Sequence, residues 1–404
     1  MSNEMKILVI NCGSSSLKYQ LFLMPKGECL IKGLVEKIGE KSSFLKQERK
    51  DSKKYELTEN IPDHTAAFKF LIEAMLNKEA GVINSISEIN GVGHRVVHGG
   101  EKYVESVIIT DDVIKDIEEF SDIAPLHNPA NLQGIVAAKK LFSKDVKHSA
   151  TFDTAFHQTI PDYAHLYAIP REFYDKFKIR RYGFHGTSHR YVASAALEYC
   201  RRVKDNTNLI TVHLGNGCSV TAIEEGKSID TSMGFTPLEG VIMGTRSGDI
   251  DPAIINYLVS KGYDPKEINS ILNKKSGLLA LSEKSNDMRE ISEAAANGDK
   301  KAKLAMESFA YRVKKYIGAY AAIMVRVDIV VFTGGIGQNS PIIREMICKN
   351  LENIGMHIDL ELNKKVGNKA GIISQHFSPT AIMVIPTDEE LRMAHDAFEL
   401  FEPK

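Results

Sequence analysis

The sequence predicts an α/β protein built from two similar halves with a cleft between them. Apolar, strand-like runs recur at residues 7–10, 91–97, 146–152, 209–214, 329–332 and 381–385, with helix-start signals between them. That alternation is expected of an α/β architecture. The opening strand–turn–strand is echoed in mid-chain. Residues 7–11 followed by Gly13 and three serines parallel residues 209–213 followed by Gly215-Asn216-Gly217-Cys218-Ser219. The length, 404 residues, suits two or three domains at roughly 100–200 residues each.

The elements follow in order. Residues 7–10 read as a buried strand, Gly13 and Ser14 to Ser16 as a tight turn, and 17–23 as the returning strand; Pro25-Lys26-Gly27-Glu28 then makes a second turn. Residues 41–60 are polar and charged and read as an exposed loop with one edge strand at 55–57. Asn128-Pro129, Asp251-Pro252 and Ser340-Pro341 each set an N-cap residue before a proline at the first helical position. Thr387 or Asp388 opens a last helix.

Composition narrows the function. The net charge is −1 and the pI about 6.9, with positive residues interspersed among Asp and Glu. No basic surplus marks a nucleic-acid partner. The five cysteines are widely spaced and form no CxxC pair, which fits reduced thiols. The only apolar run near the N-terminus is 7–10, too short for a signal peptide or a membrane span, so the expected location is the cytoplasm.

Three glycine turns hang from buried strands: Gly13-Ser-Ser-Ser, Gly215-Asn216-Gly217 and Gly334-Gly335-Ile336-Gly337-Gln338. Glycine lets backbone N–H groups close around an anion, and bare backbone lies flat against a planar base. Any one of these turns alone reads more readily as a plain hairpin or αβ connection; three together point to a nucleotide cleft. Neither GxxxxGK[ST] nor GxGxxG occurs, so this is no P-loop or dinucleotide fold by motif. Arg95, His127, Asp153, His185 and Arg246 sit at strand ends or in turns. Arg246, in Gly244-Thr245-Arg246-Ser247-Gly248, has no apolar reason for its place. The pairs His94/His98 and His185/His189 have the spacing of a zinc helix, but neither carries Glu after the first His, and nearby glycines argue against a helix.

Those residues, with Asn11-Cys-Gly13-Ser-Ser-Ser-Leu-Lys18, Gly93-His-Arg95-Val-Val-His-Gly99-Gly100, Phe152-Asp153-Thr-Ala-Phe156-His157, Arg181-Tyr-Gly-Phe-His185-Gly-Thr-Ser-His189, His213-Leu-Gly215-Asn-Gly217 and Gly334-Gly-Ile-Gly337, resemble the acetate kinase family across essentially the whole chain. The resemblance implies the actin-like ATPase (ribonuclease H-like) fold: two similar domains, each with a mixed five-stranded sheet flanked by helices. The first would span 1–153 plus 388–404, with the last helix returning to it. The second would span 154–387 and carry the nucleotide and dimer contacts. It also implies reversible, in-line transfer of the ATP γ-phosphoryl group to acetate, giving acetyl phosphate and ADP, with Mg²⁺ or, as the alternative, Mn²⁺, in a homodimer.

Carried over, Asn11 and Glu389 would lie at the metal and Lys18 at the phosphates. Arg95 and Arg246 would hold acetate and the phosphoryl group. His185 would stabilise the transition state with His127 nearby, and Asp153 would act as acid/base or organise the metal. Val97, Leu126, Phe184 and Pro237 would form the methyl pocket. The nucleotide would lie on His213, Leu214, Gly215, Asn216 and Gly217, on Asp287, Met288 and Arg289, and on Gly334, Gly335, Ile336, Gly337 and Gln338. The family's adenosine turn commonly has Glu where Gln338 stands. Rival readings are a propionate or butyrate kinase, a non-catalytic actin-like assembly protein and a zinc hydrolase.

Overall fold

The structure is a computed structural model that describes residues 4–402. The chain divides into two compact units, Met1–Ala155 with Asp388–Lys404, and Phe156–Thr387.

The first unit holds β1 (Met5–Cys12), β2 (Ser16–Met24), β3 (Glu28–Glu36), β4 (Ser43–Arg49), β5 (Lys54–Glu59), β6 (Gly91–Val96), β7 (Val107–Ile108) and β8 (Lys147–Phe152). They form one sheet in the order β5-β4-β3-β2-β1-β6-β8-β7. β1 to β3 are an antiparallel meander, and β6 and β8 run parallel to β1. Successive strand residues point to opposite faces. Leu8 and Ile10 therefore join a core with Phe68 and Leu71 of the helix His64–Leu76 and Ala137 and Ala138 of the helix Asn128–Leu141. Ile7 and Val9 pack on the other side against Met393, Ala397 and Phe401 of the final helix, Glu389–Phe401.

The second unit repeats the scheme with β9 (Asn208–Leu214), β10 (Cys218–Glu224), β11 (Lys227–Thr231), β12 (Ile329–Thr333), β13 (Gly371–Ile372) and β14 (Ala381–Val384), ordered β11-β10-β9-β12-β14-β13. Again three antiparallel strands lead, and β12 and β14 run parallel to β9. Val192, Ala193 and Ala196 of the helix Gly186–Tyr199 cover one face with Leu209, Ile329 and Val331. Each unit thus contains the same mixed five-stranded frame. β4, β5 and β7 extend one sheet to eight strands and β13 extends the other to six.

Three local expectations are corrected. The 41–60 segment holds two strands, because Ser43 and Gln47 are polar residues that point inward. Gln47 Oε1 accepts from Tyr19 Oη at 2.7 Å, and its Nε2 donates to Ala74 O and Ala80 O at 2.8 and 3.2 Å. Asn128 lies inside its helix, with His127 at the cap, because its amide is engaged by both backbone groups of His98 at 3.0 Å. Pro252 likewise takes the cap position, while Asp251 Oδ1 accepts from Ala253 N at 2.9 Å. Ser340 and Asp388 cap their helices as read.

Candidate active site

In the first unit, parallel pairing of β6 and β8 sets Val96 opposite Phe152, so Asp153 emerges beside Arg95, with Asp153 N donating to Val96 O at 3.0 Å. Arg95 Nε donates to the two Asp153 carboxylate oxygens at 3.0 and 3.2 Å, and Nη2 to Oδ2 at 2.6 Å. Such a fork fixes a guanidinium in one plane. Asp153 is 2% exposed and Arg95 23%. Burial opposes the charge on Arg95, but the Asp153 carboxylate outweighs it and raises the guanidinium's pKa.

Glu389, the first residue of the final helix, is half-buried in the same group. Desolvation pushes its carboxyl up to about 7; Asp153 and Glu390 add to the rise, and Arg95 and Lys18 oppose it. Asn11 on β1 faces Lys18 on β2 in register, and Lys18 is exposed. Val97 is buried with its N–H on Asn131 Oδ1 at 3.0 Å, whereas Leu126, beside His127, is 61% exposed.

In the second unit, His185 caps the helix Gly186–Tyr199 in the left-handed region, φ 57°. The glycines beside the His pair thus do not prevent a helix; Gly186 starts one, and His189 lies within it. The imidazoles of His185 and His213 stack with centroids 4.4 Å apart. A Cβ placed on Gly217 would lie 3.2 Å from His185 Cε1 and Nε2 and 3.6 Å from Arg246 Nη1. The turn between β9 and β10 therefore carries a bare backbone surface flanked by an imidazole and a guanidinium. Arg246 Nη1 donates to Pro237 O at 3.0 Å, and burial lowers its pKa. Its loop is tied to the turn through Gly244 N to Asn216 O at 2.9 Å. Phe184 is buried, its carbonyl held by His157 Nε2 at 3.0 Å.

Beside this turn is a groove of about 960 Å³ lined by Gly215, Asn216, Asn286, Asp287, Met288, Arg289, Ser292, Gly335, Ile336 and residues 339–342. That is the size range of nucleotide and cofactor sites. Gly334 has φ +76°, and a Cβ there would meet Leu214 O at 2.6 Å, so only glycine lets β12 turn into the short helix Gly334–Asn339 this close to β9. Not all the residues expected at the nucleotide line the groove. The Leu214 side chain is fully buried in the core. Gln338 turns back; with its amide assigned so that the carbonyl faces donors, that oxygen accepts from Gly334 N at 3.3 Å and Thr387 N at 3.1 Å. His213 Nδ1 pairs with Ser188 Oγ at 2.8 Å.

Sequence reasoning missed a brace at Glu239, in the loop that leads from β11 to Arg246. Arg181 Nη2 donates to Glu239 Oε1 at 2.7 Å and Nη1 to Thr231 O at 2.8 Å, while Tyr167 Oη donates to Glu239 Oε2. A Cβ on Gly234 would fall 2.1 Å from Tyr167 Oη, so the network closes over a glycine. The only signal was the charged Arg181 beside Tyr182-Gly183-Phe184-His185; its carboxylate partner stands 58 positions away.

A duplicated mixed-sheet frame whose glycine turns end buried strands, one of them flanked by Arg246 and His185 beside a nucleotide-sized groove, defines a phosphotransferase of the actin-like ATPase fold. Residues 6–395 match the model of the acetokinase family, and the chain belongs to that family. It is 54% identical over 400 residues to an acetate kinase of Thermoanaerobacterium thermosaccharolyticum, covering 98% of this chain and 99% of that one. With an acetate kinase of Thermotoga maritima it shares 53% over 401 residues, again 98% and 99% of the two chains. Among solved structures it is similar to Porphyromonas gingivalis acetate kinase, with a TM-score of 0.95 at 47% identity over 98% of this chain and all of that one. It is also similar to a propionate kinase from Francisella tularensis, with a TM-score of 0.91 at 42% identity over 98% and 100%.

Proposed function

We infer that this protein is an acetate kinase that transfers the γ-phosphoryl group of ATP in line to the acetate carboxylate, giving acetyl phosphate and ADP reversibly. The observation that carries the reading is the placement of His185 Nε2 and Arg246 Nη1 over the Gly217 turn. Phosphoryl transfer asks a protein to position its reactants and neutralise charge, with little covalent work. Here an anion attacks a polyanion. Arg246 is fixed by the Pro237 carbonyl and keeps further N–H donors for a phosphoryl oxygen. His185 donates to an equatorial oxygen as charge develops there.

In the first unit Arg95 takes the acetate carboxylate, and Asp153 holds the guanidinium in plane. Acetate is ionised at neutral pH, so Asp153 orients Arg95 and is not needed as a base. Lys18 meets the phosphates. His127 lies beside the acetate, and Val97, Leu126, Phe184 and Pro237 take the methyl group. Gly215, Asn216, Asp287, Met288, Arg289, Gly335 and Ile336 hold the nucleotide, with Gly217, Gly334 and Gly337 shaping its backbone.

Asn11 and Glu389 suit Mg²⁺. Burial, with the Asp153 and Glu390 carboxylates adding to it, pushes the Glu389 carboxyl up to about 7, and a cation beside it would favour the ionised form. Among the described residues there is no cluster of three or more His, Cys, Asp and Glu that could hold a metal; Mg²⁺ is satisfied by one or two protein oxygens with water and phosphate. When bound it supplies positive charge to the departing diphosphate.

A homodimer is favoured by the helix Ala253–Ser260, which buries none of its residues and exposes Ile254, Ile255, Tyr257 and Val259. The cytoplasm suits five free cysteines, and no helix among the described residues is long and apolar enough to cross a membrane.

The likeness to a propionate kinase structure makes acceptor choice the open comparison. One methylene in an apolar pocket is worth only about 1–3 kcal/mol. We therefore expect propionate to be used with kcat/KM about 10–100-fold below acetate. A kcat/KM for propionate above that for acetate makes the protein a propionate kinase instead.

A further inference from the structure

The imidazole of His185 is held from behind. Its Nδ1 lies 2.9 Å from Ser219 Oγ. That hydroxyl lies 2.7 Å from His189 Nε2, and His189 Nδ1 lies 2.7 Å from Thr211 Oγ1. Ser219, His189 and Thr211 are all fully buried. The elements fix the chain. β9 and β10 pair antiparallel with Thr211 opposite Thr221 and His213 opposite Ser219, while the helix Gly186–Tyr199 lays His189 across them.

The contacts have a direction. A serine hydroxyl has one proton, so Ser219 donates to one imidazole and accepts from the other. A neutral imidazole has one N–H and one bare nitrogen. Suppose Thr211 donates to His189 Nδ1. His189 then carries its proton on Nε2 and donates it to Ser219, and Ser219 donates to His185 Nδ1. Every contact has one donor and one acceptor, and the His185 proton sits on Nε2, the atom over Gly217. The opposite order places that proton on Nδ1 and turns a bare lone pair toward Gly217, which would repel a phosphoryl oxygen. His189 is suited to remain neutral: burial, with His157 and His213 adding to it, holds its pKa well below the ordinary 6.5.

We propose that Thr211, His189 and Ser219 are positioning residues forming a one-way hydrogen-bond relay that fixes His185 in its Nε2–H tautomer. The inference deepens the reading of His185 as the donor to the phosphoryl group and rests on it for its catalytic consequence. The relay itself is a property of the free protein. It differs from a packing role because it predicts which ring nitrogen bears the proton.

The test is ¹⁵N–¹H correlation spectroscopy of the ¹⁵N-histidine-labelled full chain at pH 8, assigned with His185→Gln and His189→Gln, together with steady-state kinetics of Ser219→Ala, Ser219→Thr and Thr211→Val. The expected result is a single Nε2–H tautomer at both His185 and His189, with both tautomers of His185 present in Ser219→Ala. Ser219→Ala should lose on the order of tenfold in kcat, a part of what loss of a whole donor costs, with KM for ATP and acetate within twofold. Ser219→Thr, which keeps the hydroxyl, should recover most of the loss, and Thr211→Val should show a smaller one. A wild-type His185 protonated on Nδ1, or present as a mixture, overturns the relay. A fixed Nε2–H tautomer in the wild type with full kcat in Ser219→Ala leaves the relay standing and overturns its catalytic consequence.

Discussion

At the residue scale, Arg95 and Asp153 depend on each other. Removing one partner of a buried pair strands the other, which costs about 3–5 kcal/mol when both are fully buried. With Arg95 23% exposed, water recovers part of this, and Arg95→Ala should cost about 1–3 kcal/mol. The double variant Arg95→Ala/Asp153→Ala should be more stable than Arg95→Ala alone, since no carboxylate is then left buried and unpaired. Denaturant melts of the three proteins check this; a double variant less stable than the single removes Asp153's role as holder of the guanidinium. Glu389 carries the pH dependence. Its carboxyl is pushed up to about 7 from 4.5, so the folded state binds the proton more tightly than the unfolded chain. Stability gained from this is present below about 4.5 and lost as pH rises through about 7. In EDTA at pH 8, Glu389→Gln should therefore melt above the wild type, the gap closing toward pH 5, while activity with Mg²⁺ is abolished. Equal melting temperatures at pH 8 would show that Glu389 is not strained in the metal-free protein.

At the element scale, the turn that begins at Gly334 is a tightly constrained connection. Gly334→Ala forces a side chain into φ +76° with its Cβ 2.6 Å from Leu214 O. It should destabilise by roughly 1–3 kcal/mol and weaken ATP more than acetate, readable from a melt and the two KM values. The glycine turns were legible in the sequence because clustered glycines mark them, and at Gly334 the reason is a backbone conformation and close approach that a side chain does not tolerate. Arg246 was legible for the converse reason, a long cation with nothing apolar to pack on. What stayed hidden depends on partners remote in the chain. β4 was missed because Gln47 is satisfied by Tyr19 and by carbonyls of Ala74 and Ala80. The Arg181–Glu239–Tyr167 brace was missed for the same reason. Gln338 was read as a nucleotide contact from its place in a motif; that its side chain, with the carbonyl assigned toward donors, also reaches Gly334 N and Thr387 N had no mark in the sequence. His185's left-handed cap could not be read from residue type, since histidine, although enriched there among non-glycine residues, still lies outside that region in most of its occurrences.

At the scale of the whole molecule, duplication explains most of the architecture. The mid-chain echo is visible as the same five-stranded frame in both units, and each frame presents a glycine turn between its first two strands. The strands beyond five were not legible, because edge strands add no repeated pattern and β7 and β13 are two residues long. Assembly is a property of this scale too. Tyr257, 62% exposed on an apolar helix, should be covered in a dimer, so Tyr257→Asp should shift the protein toward monomer in light scattering. A wild type that is monomeric at micromolar concentration removes that helix as an interface.

The central claim is that Arg246 and His185, over the Gly217 turn, neutralise the phosphoryl group during transfer from ATP to acetate. Trapping acetyl phosphate as the hydroxamate, with ATP, Mg²⁺ and acetate saturating, measures it directly for the wild type, Arg246→Ala and His185→Ala. The wild type should form the product, and each variant, folded by circular dichroism, should be slower by about 10²–10³-fold. No product from the wild type, or a loss below tenfold in both variants, would contradict it.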